Sequence, residues 1–350
     1  MQALLGILFH SLGGVAAGSF YMPYNKVNGW AWETYWMVGG VMSWRIVPPI
    51  AAYLTVPSFM DIITASSSTI LGFTFLMGLL WGVGGLSYGL GVRYLGMSLG
   101  NSVVLGFCAA FGAIVPSIYY NFKPEVGKTS FTDMLGSSGG QIVLLGVLIC
   151  LLGIAICGKA GMLKEKELSD EEKKKSVSEF NLVKGLIVAI LSGILSSFFS
   201  FGIEAGKPLA DAAINSGYDS LFANNVTFVV ILWGGLATNL VWTTLLSIKN
   251  KSYKDFTNPR LPIRKNLLFS ALAGTIWFLQ FFFYGMGESK LGNGASSWIL
   301  HMSTIILTAN LWGIYRKEWH GVSKKSKTTI MMGIFIIICS VILVGIGNSF

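Results

Sequence analysis

The sequence predicts an all-α polytopic membrane protein, with ten transmembrane helices in two inverted five-helix repeats. Three observations carry that prediction. Of 350 residues, 53% are hydrophobic and only 12% charged, against roughly 25% charged in a soluble domain. The charges gather in short stretches between apolar runs of about 20 residues, each long enough to cross a hydrocarbon core of about 30 Å as a helix. Finally, the stretch GLLWGVGGLSYGLGVRYLG from Gly78 recurs loosely as GTIWFLQFFFYGMGESKLG from Gly274. The apolar runs are continuous and lack the alternation of a membrane barrel, which excludes strands.

The first span, over 2–24, has neither the basic flank nor the small-residue cleavage site of a signal peptide, and is expected to stay. It carries His10. The second, over 32–56, opens on WAWETYW with Glu33 and holds Arg45 near mid-depth, just before Pro48 and Pro49. Spans three and four follow over 70–91 and 97–120. The fifth, over 139–158, completes the first repeat (1–158) and leads into GKAGMLKEKELSDEEKKKSVSEF, read as a solvated charged connector over 159–182. The second repeat (183–350) begins with span six, over 183–205. At its end Glu204 and Lys207 are three apart, as a same-face pair at a helix end would be. The last four spans lie over 222–248, 266–286, 295–315 and 329–348. All four cysteines fall inside spans, so no disulfide framework is suggested.

The net charge of +9 speaks of orientation rather than of nucleic acid. Of 25 Lys and Arg, 20 lie in the odd-numbered loops: Lys26, Arg93, Lys159 to Lys184, Lys249 to Lys265, and Arg316 to Lys327. The even-numbered loops hold four, namely Lys123, Lys128, Lys207 and Lys290. The positive-inside rule places the odd loops in the cytoplasm and both termini outside.

The two similar stretches match at one offset of 196: Gly78/Gly274, Trp81/Trp277, Tyr88/Tyr284, Gly89/Gly285, Gly91/Gly287, Leu95/Leu291 and Gly96/Gly292. They are spans three and eight. Five spans separate equivalent positions, so the halves face opposite ways, as in alternating-access transporters whose substrate site lies between repeats near the midplane. A chance match of two glycine-rich helices is the alternative. The 43 glycines suit helices that associate in lipid by close backbone approach.

Within these two spans Trp81, Gly84 and Tyr88 correspond to Trp277, Gln280 and Tyr284, spaced to share one helix face. Such a face is either an aromatic packing stripe or a lining for a small polyol. Gln280 favours the lining, since an amide in hydrocarbon needs a partner. Ionisable residues at membrane depth are functional candidates by default. His10 and His301, both in the outer half, either carry a proton or stand as neutral imidazoles bonded between helices. Arg45 is either a site residue or a structural cation bonded near Pro48 and Pro49. With no metal-spaced Cys/His cluster, phosphate loop or nucleophile constellation, an enzyme has nothing to stand on.

Further motifs are long and rich in Trp: FYMPYNKVNGWAWETYW from Phe20, WGVGGLSYGLGVRYLGMSLG from Trp81, FNLVKGLIVAILSGI from Phe180, GKP from Gly206, WFLQFFFYGMG from Trp277, SWILHMS from Ser297 and KEW from Lys317. Together, through nearly the whole chain, they resemble the L-rhamnose–proton symporter family of the drug/metabolite transporter superfamily. The resemblance implies ten helices, a bacterial inner membrane, and uptake of L-rhamnose with a proton as coupling ion and no cofactor. It also implies His10, Glu33, Lys207, Trp277, Gln280 and His301 as motif positions. Glu204 and the connector around Lys164–Lys175 depart from the family's pattern.

The expected site is therefore lined by spans 1, 3, 6 and 8, with contributions from 2 and 9. Trp81, Tyr88, Trp277, Gln280, Tyr284 and His301 would meet the sugar. His10 or His301 would carry the proton, with Arg45 or Glu33 biasing it. The implied partners are a sugar and the lipid bilayer, with no nucleic acid. An exporter or exchanger of another metabolite, a facilitator, and a membrane sensor that binds sugar without moving it are the competing readings.

Overall fold

The structure, a computed structural model, describes residues 2–122, Pro124, 130–169, Glu171, 180–291 and 294–347. Lys123, Lys128, Gly292 and residues 172–179 of the charged connector, all used in the sequence reading, lie outside the described residues. Every regular element among the described residues is helical. Helix is what hydrocarbon demands, because a segment there must satisfy its own backbone N–H and C=O groups.

In chain order the helices are α1 (Gln2–Ser19), α2 (Tyr21–Tyr24), α3 (Trp32–Val41), a π-helical turn (Met42–Ile46), α4 (Val47–Thr55), α5 (Phe59–Ala65) and α6 (Ser68–Phe122). Next come α7 (Phe131–Gly136), α8 (Ser138–Glu167), α9 (Leu182–Ser196), α10 (Phe198–Ala205), α11 (Lys207–Asn215) and α12 (Asn224–Asn250). A 3₁₀ turn (Ser252–Phe256), α13 (Ile263–Leu291), α14 (Gly294–Tyr315) and α15 (Lys324–Gly347) complete the chain. Among the described residues, eight helical segments are long and apolar enough to cross a membrane. A ninth is added if the pair Trp32–Thr55 and Phe59–Ala65, bent by 103°, counts as one span. The segment expected over 295–315 is helix α14. The protein is a multi-pass membrane protein.

Departures from the expected spans have local causes. Spans three and four run as one helix until Gly96, whose φ of 85° suits a residue without Cβ. Span six is not one helix: α9 ends at Ser196, and Gly206 separates α10 from α11. Glu204 and Lys207 therefore sit on successive short helices, both exposed. The charged connector is not wholly solvated either. Helix α8 continues to Glu167, and Lys164 within it is buried. Its Nζ donates to the Glu318 carbonyl at 2.7 Å and lies 5.5 Å from the Phe180 ring and 5.2 Å from the Trp319 ring. A long apolar stem with a charge held over aromatic faces is how a lysine leaves water at tolerable cost.

The chain forms two compact units. The first comprises Met1–Gly14, Gly84–Ser197 and Leu291–Phe350. In it α8 and α15 pack side by side through small residues. A Cβ on Gly146 would lie 3.0 Å from the Ser340 carbonyl, and one on Gly333 would lie 2.6 Å from Cys157 Sγ. Leu148, Leu152, Phe335 and Ile342 on the same two helices stay exposed, a pattern that suits lipid and not water. Below them, Glu167 accepts from Ser323 N–H at 2.8 Å, Ser323 Oγ at 2.7 Å and Ser326 Oγ at 2.8 Å, tying the end of α8 to the start of α15.

The second unit comprises Val15–Val83 and Phe198–Lys290. Its centre is α12, buried without interruption from Asn225 to Leu232. Helix α6 crosses α12 at backbone contact: a Cβ on Gly78 would lie 1.9 Å from the Ile231 carbonyl, and one on Gly234 would lie 2.2 Å from the Phe75 carbonyl. Thr238 Oγ1 donates to the Leu79 carbonyl at 2.8 Å beside that crossing.

Gly78→Ala is expected to destabilise the protein by about 1–3 kcal/mol through overpacking, read as a lower unfolding temperature in detergent. Gly72→Ala, on the same helix with open space around it, is the control and should be neutral. The Glu167 carboxyl is held below its ordinary value of 4.5, first by the Ser323 N–H bond and then by the hydroxyls of Ser323 and Ser326. Because its pKa is depressed, the stability it gives is present above pH 4.5 and is lost as pH falls through the folded value. Glu167→Gln should therefore flatten the acid side of the melting-temperature profile and leave its neutral limb parallel to wild type.

Candidate functional site

The second unit gathers the aromatic residues of both similar stretches around α13. Trp277 is stacked on Phe20 at a centroid distance of 4.4 Å and lies 5.2 Å from Trp36 and 4.9 Å from Trp44. Trp81 lies 6.4 Å from Trp277, 5.9 Å from Trp44, 5.1 Å from Phe199 and 5.6 Å from Phe281. All are buried. Gln280 and Tyr284, on the same helix as Trp277, are buried too.

Prolines explain how Trp44 comes to this cluster. Pro48 and Pro49 have no N–H, so the Trp44 and Arg45 carbonyls lose their ordinary i+4 donors. The helix widens into the turn Met42–Ile46, in which Val47 N–H bonds the Met42 carbonyl five residues back. An extra residue per turn shifts which side chains face inward. Trp44 is fully buried, while Arg45 is exposed with its Cζ 5.1 Å from the Trp233 ring.

Several polar groups in this unit are anchored. Glu33 is buried and accepts from Asn250 Nδ2 at 2.9 Å and Ser252 Oγ at 2.7 Å, which pins the start of α3 to the end of α12. Trp36 Nε1 donates to Asn239 Oδ1 at 2.9 Å. Glu288, one turn beyond Tyr284, accepts from Asn224 Nδ2 at 3.0 Å. The sequence reading ended span eight at 286 and so overlooked it; α13 runs on to Leu291.

The first unit brings His10 and His301, 291 positions apart, to a ring-centroid distance of 5.9 Å at an interplanar angle of 68°. Both are buried. One turn further along each helix, a Cβ on Gly14 would lie 2.5 Å from Thr304 Cβ. The two contacts advance together, so α1 and α14 run parallel here, and the absent Cβ at Gly14 is what lets the imidazoles meet. Tyr88 also belongs to this unit, where its hydroxyl donates to Asn101 Oδ1 across the Gly96 break. The predicted trio on α6 is thus divided, Trp81 falling in the second unit and Tyr88 in the first. Among the described residues no group of three or more His, Cys, Asp or Glu could hold a metal ion.

A family model described as L-rhamnose-proton symport protein matches residues 1–349. The chain belongs to this family. It is 39% identical to proteins named L-rhamnose-proton symporter from Yersinia pestis (strain Pestoides F) and Yersinia pseudotuberculosis serotype O:1b (strain IP 31758). Each match covers 99% of this chain and 98% of the relative. The family is one of proton-coupled sugar symporters, not of enzymes, and needs no cofactor, since the proton is its coupling ion.

Chemically, apolar ring faces can stack on a sugar and an imidazole can take up a proton. Trp44 was overlooked in the sequence, although the Pro48–Pro49 pair four residues on was its signal. Gly14→Ala is expected to part the imidazoles and lower rhamnose-driven proton uptake about tenfold, the scale of 1–3 kcal/mol of overpacking. An assay in proteoliposomes checks it, again with Gly72→Ala as the neutral control.

Proposed function

We propose that this protein imports L-rhamnose, or a closely related deoxy sugar, together with a proton across the bacterial inner membrane by alternating access. Ten helices form two inverted five-helix repeats joined by the connector over 159–182, with both termini periplasmic, in the manner of the drug/metabolite transporter superfamily. The single observation that carries the reading is the His10–His301 pair, at 5.9 Å in a chain of this family. Two imidazolium cations so close would repel each other, so the pair takes one proton at a time. A proton that arrives or leaves changes the charge between α1 and α14, which gives the membrane potential something to act on.

The repeat reading has its own support. The matched glycines Gly78 and Gly274 both stand at backbone crossings, where an added Cβ would lie 1.9 Å from the Ile231 carbonyl and 2.1 Å from the Gly39 carbonyl. The second unit draws one segment from each half, 15–83 and 198–290, and so holds both copies of the matched Trp. Trp81, Trp277, Gln280 and Tyr284 contact the sugar in this reading. His10 and His301 hold the proton. Glu33, with Asn250 and Ser252 on its carboxylate, anchors α3 and is not itself the carrier. Arg45, Glu204 and Lys207, all exposed, set the local potential. At about 150 mV one charge is worth roughly 3.5 kcal/mol, or two to three decades of accumulation.

L-rhamnose added to weakly buffered vesicles should alkalinise the medium, while L-fucose and D-glucose should not. His10→Gln and His301→Gln should each abolish accumulation and leave equilibrative entry of rhamnose. Full accumulation in both variants would end the histidine assignment. Rhamnose entry without alkalinisation would indicate a facilitator. Binding without counterflow would indicate a sensor, and neither binding nor entry an exporter or exchanger of another metabolite.

A further inference from the structure

Of the buried polar groups in the second unit that have no hydrogen-bond partner among the described residues, four gather by the π turn and the glycines before it: Trp44 Nε1, Ser43 Oγ, Tyr24 Oη and Ser270 Oγ. They are not scattered. Ser43 and Trp44 are neighbours in the π turn. A Cβ on Gly40 would lie 2.7 Å from the Trp44 ring, and one on Gly39 would lie 1.8 Å from Tyr24 Oη and 3.2 Å from the Ser270 carbonyl. The pair Gly39–Gly40 therefore exists to let Trp44 and Tyr24 approach. Ser270 shares a face of α13 with Gly274 and Trp277, and the Trp277 ring is 4.9 Å from that of Trp44.

Buried polar groups are ordinarily bonded, and one left alone is destabilising. Four together beside an aromatic cluster amount to a recognition surface whose complement is a ligand. The chemistry names its class. An indole N–H only donates, whereas the three hydroxyls both donate and accept. The surrounding rings offer apolar faces, and the one cation of the π turn, Arg45, is exposed. Nothing in this set compensates a charge. A neutral ring with C–H faces and several hydroxyls, a pyranose, satisfies all of it.

We propose that the π turn is the specificity-determining element of the sugar site, with Trp44 Nε1 donating to one hydroxyl of the bound pyranose and Tyr24 and Ser270 engaging others. The inference rests on the rhamnose-transport reading and adds the residues that select the sugar. It also accounts for the paired prolines: without the freed carbonyls there is no π turn, and without the π turn the helix register carries Trp44 off this face.

Counterflow of labelled L-rhamnose in proteoliposomes, competed by a set of rhamnose derivatives each lacking one hydroxyl, tests it. Trp44→Phe keeps the ring and removes the N–H. It should raise the KM for rhamnose about tenfold, the ~1.4 kcal/mol of a neutral hydrogen bond. One deoxy derivative should be handled alike by variant and wild type, because it lacks the hydroxyl that Trp44 meets. Tyr24→Phe, a change of one oxygen, is the second variant and should single out a different derivative. A uniform loss for rhamnose and every derivative in both variants, or a fall in maximal rate at unchanged selectivity, would overturn the proposal and make these groups structural. A wild-type protein that gives no rhamnose counterflow would overturn the transport reading first. Wild-type counterflow with variants of unaltered selectivity removes this inference alone.

Discussion

The backbone has to satisfy itself at membrane depth, and everything distinctive here follows from where it cannot. A helix meets that requirement alone, which is why every regular element among the described residues is helical. Hydrophobic attraction between helices is then weak, since lipid is as apolar as leucine. Contact depends instead on how closely backbones approach. The Gly78–Ile231 and Gly234–Phe75 crossings show the consequence, with added Cβ atoms at 1.9 and 2.2 Å from facing carbonyls. No side chain larger than hydrogen is compatible with that geometry.

Where the rule is broken, side chains gather in unusual ways. Pro48 and Pro49 withdraw two donors from the second span, and the chain answers with a π turn and then a bend of 103° before α5. That turn delivers Trp44 into a cluster with Trp81 and Trp277, although nothing in a regular heptad or 3.6-residue pattern would place it there. At Gly96, φ of 85° breaks α6, and the Tyr88–Asn101 bond spans the break. At Gly206 another break starts a new helix on Lys207. Polar side chains then take over what the backbone no longer settles: Thr227 Oγ1 donates to the Gly206 carbonyl at 2.7 Å, just beside that break.

The buried charges are each held by a different set of partners. Lys164 is tolerated because its ammonium has a carbonyl and two ring faces. Glu33 is tolerated because an amide and a hydroxyl meet one carboxylate oxygen. These are anchors, each fixing a helix end to a distant segment. The His10–His301 pair differs in kind. It joins two titratable groups that carry the same sign when protonated, at a ring-centroid distance of 5.9 Å.

By itself the sequence determined the class of the protein, because charge content, run length and loop charge are summed along the chain and need no contacts. It also determined the family, through Trp-rich motifs that are rare by chance, and it named both histidines by the cost of an ionisable group in hydrocarbon. It did not determine which candidates meet. That His10 finds His301 across 291 positions is decided by the close approach at Gly14. That Trp81 and Tyr88, on one helix face, enter different units is decided by which helices each segment packs against. The inward turn of Trp44, the burial of Lys164 and the helical run-on to Glu288 were likewise settled only in three dimensions. Each depends on partners supplied by remote segments, and local pattern carries no record of those.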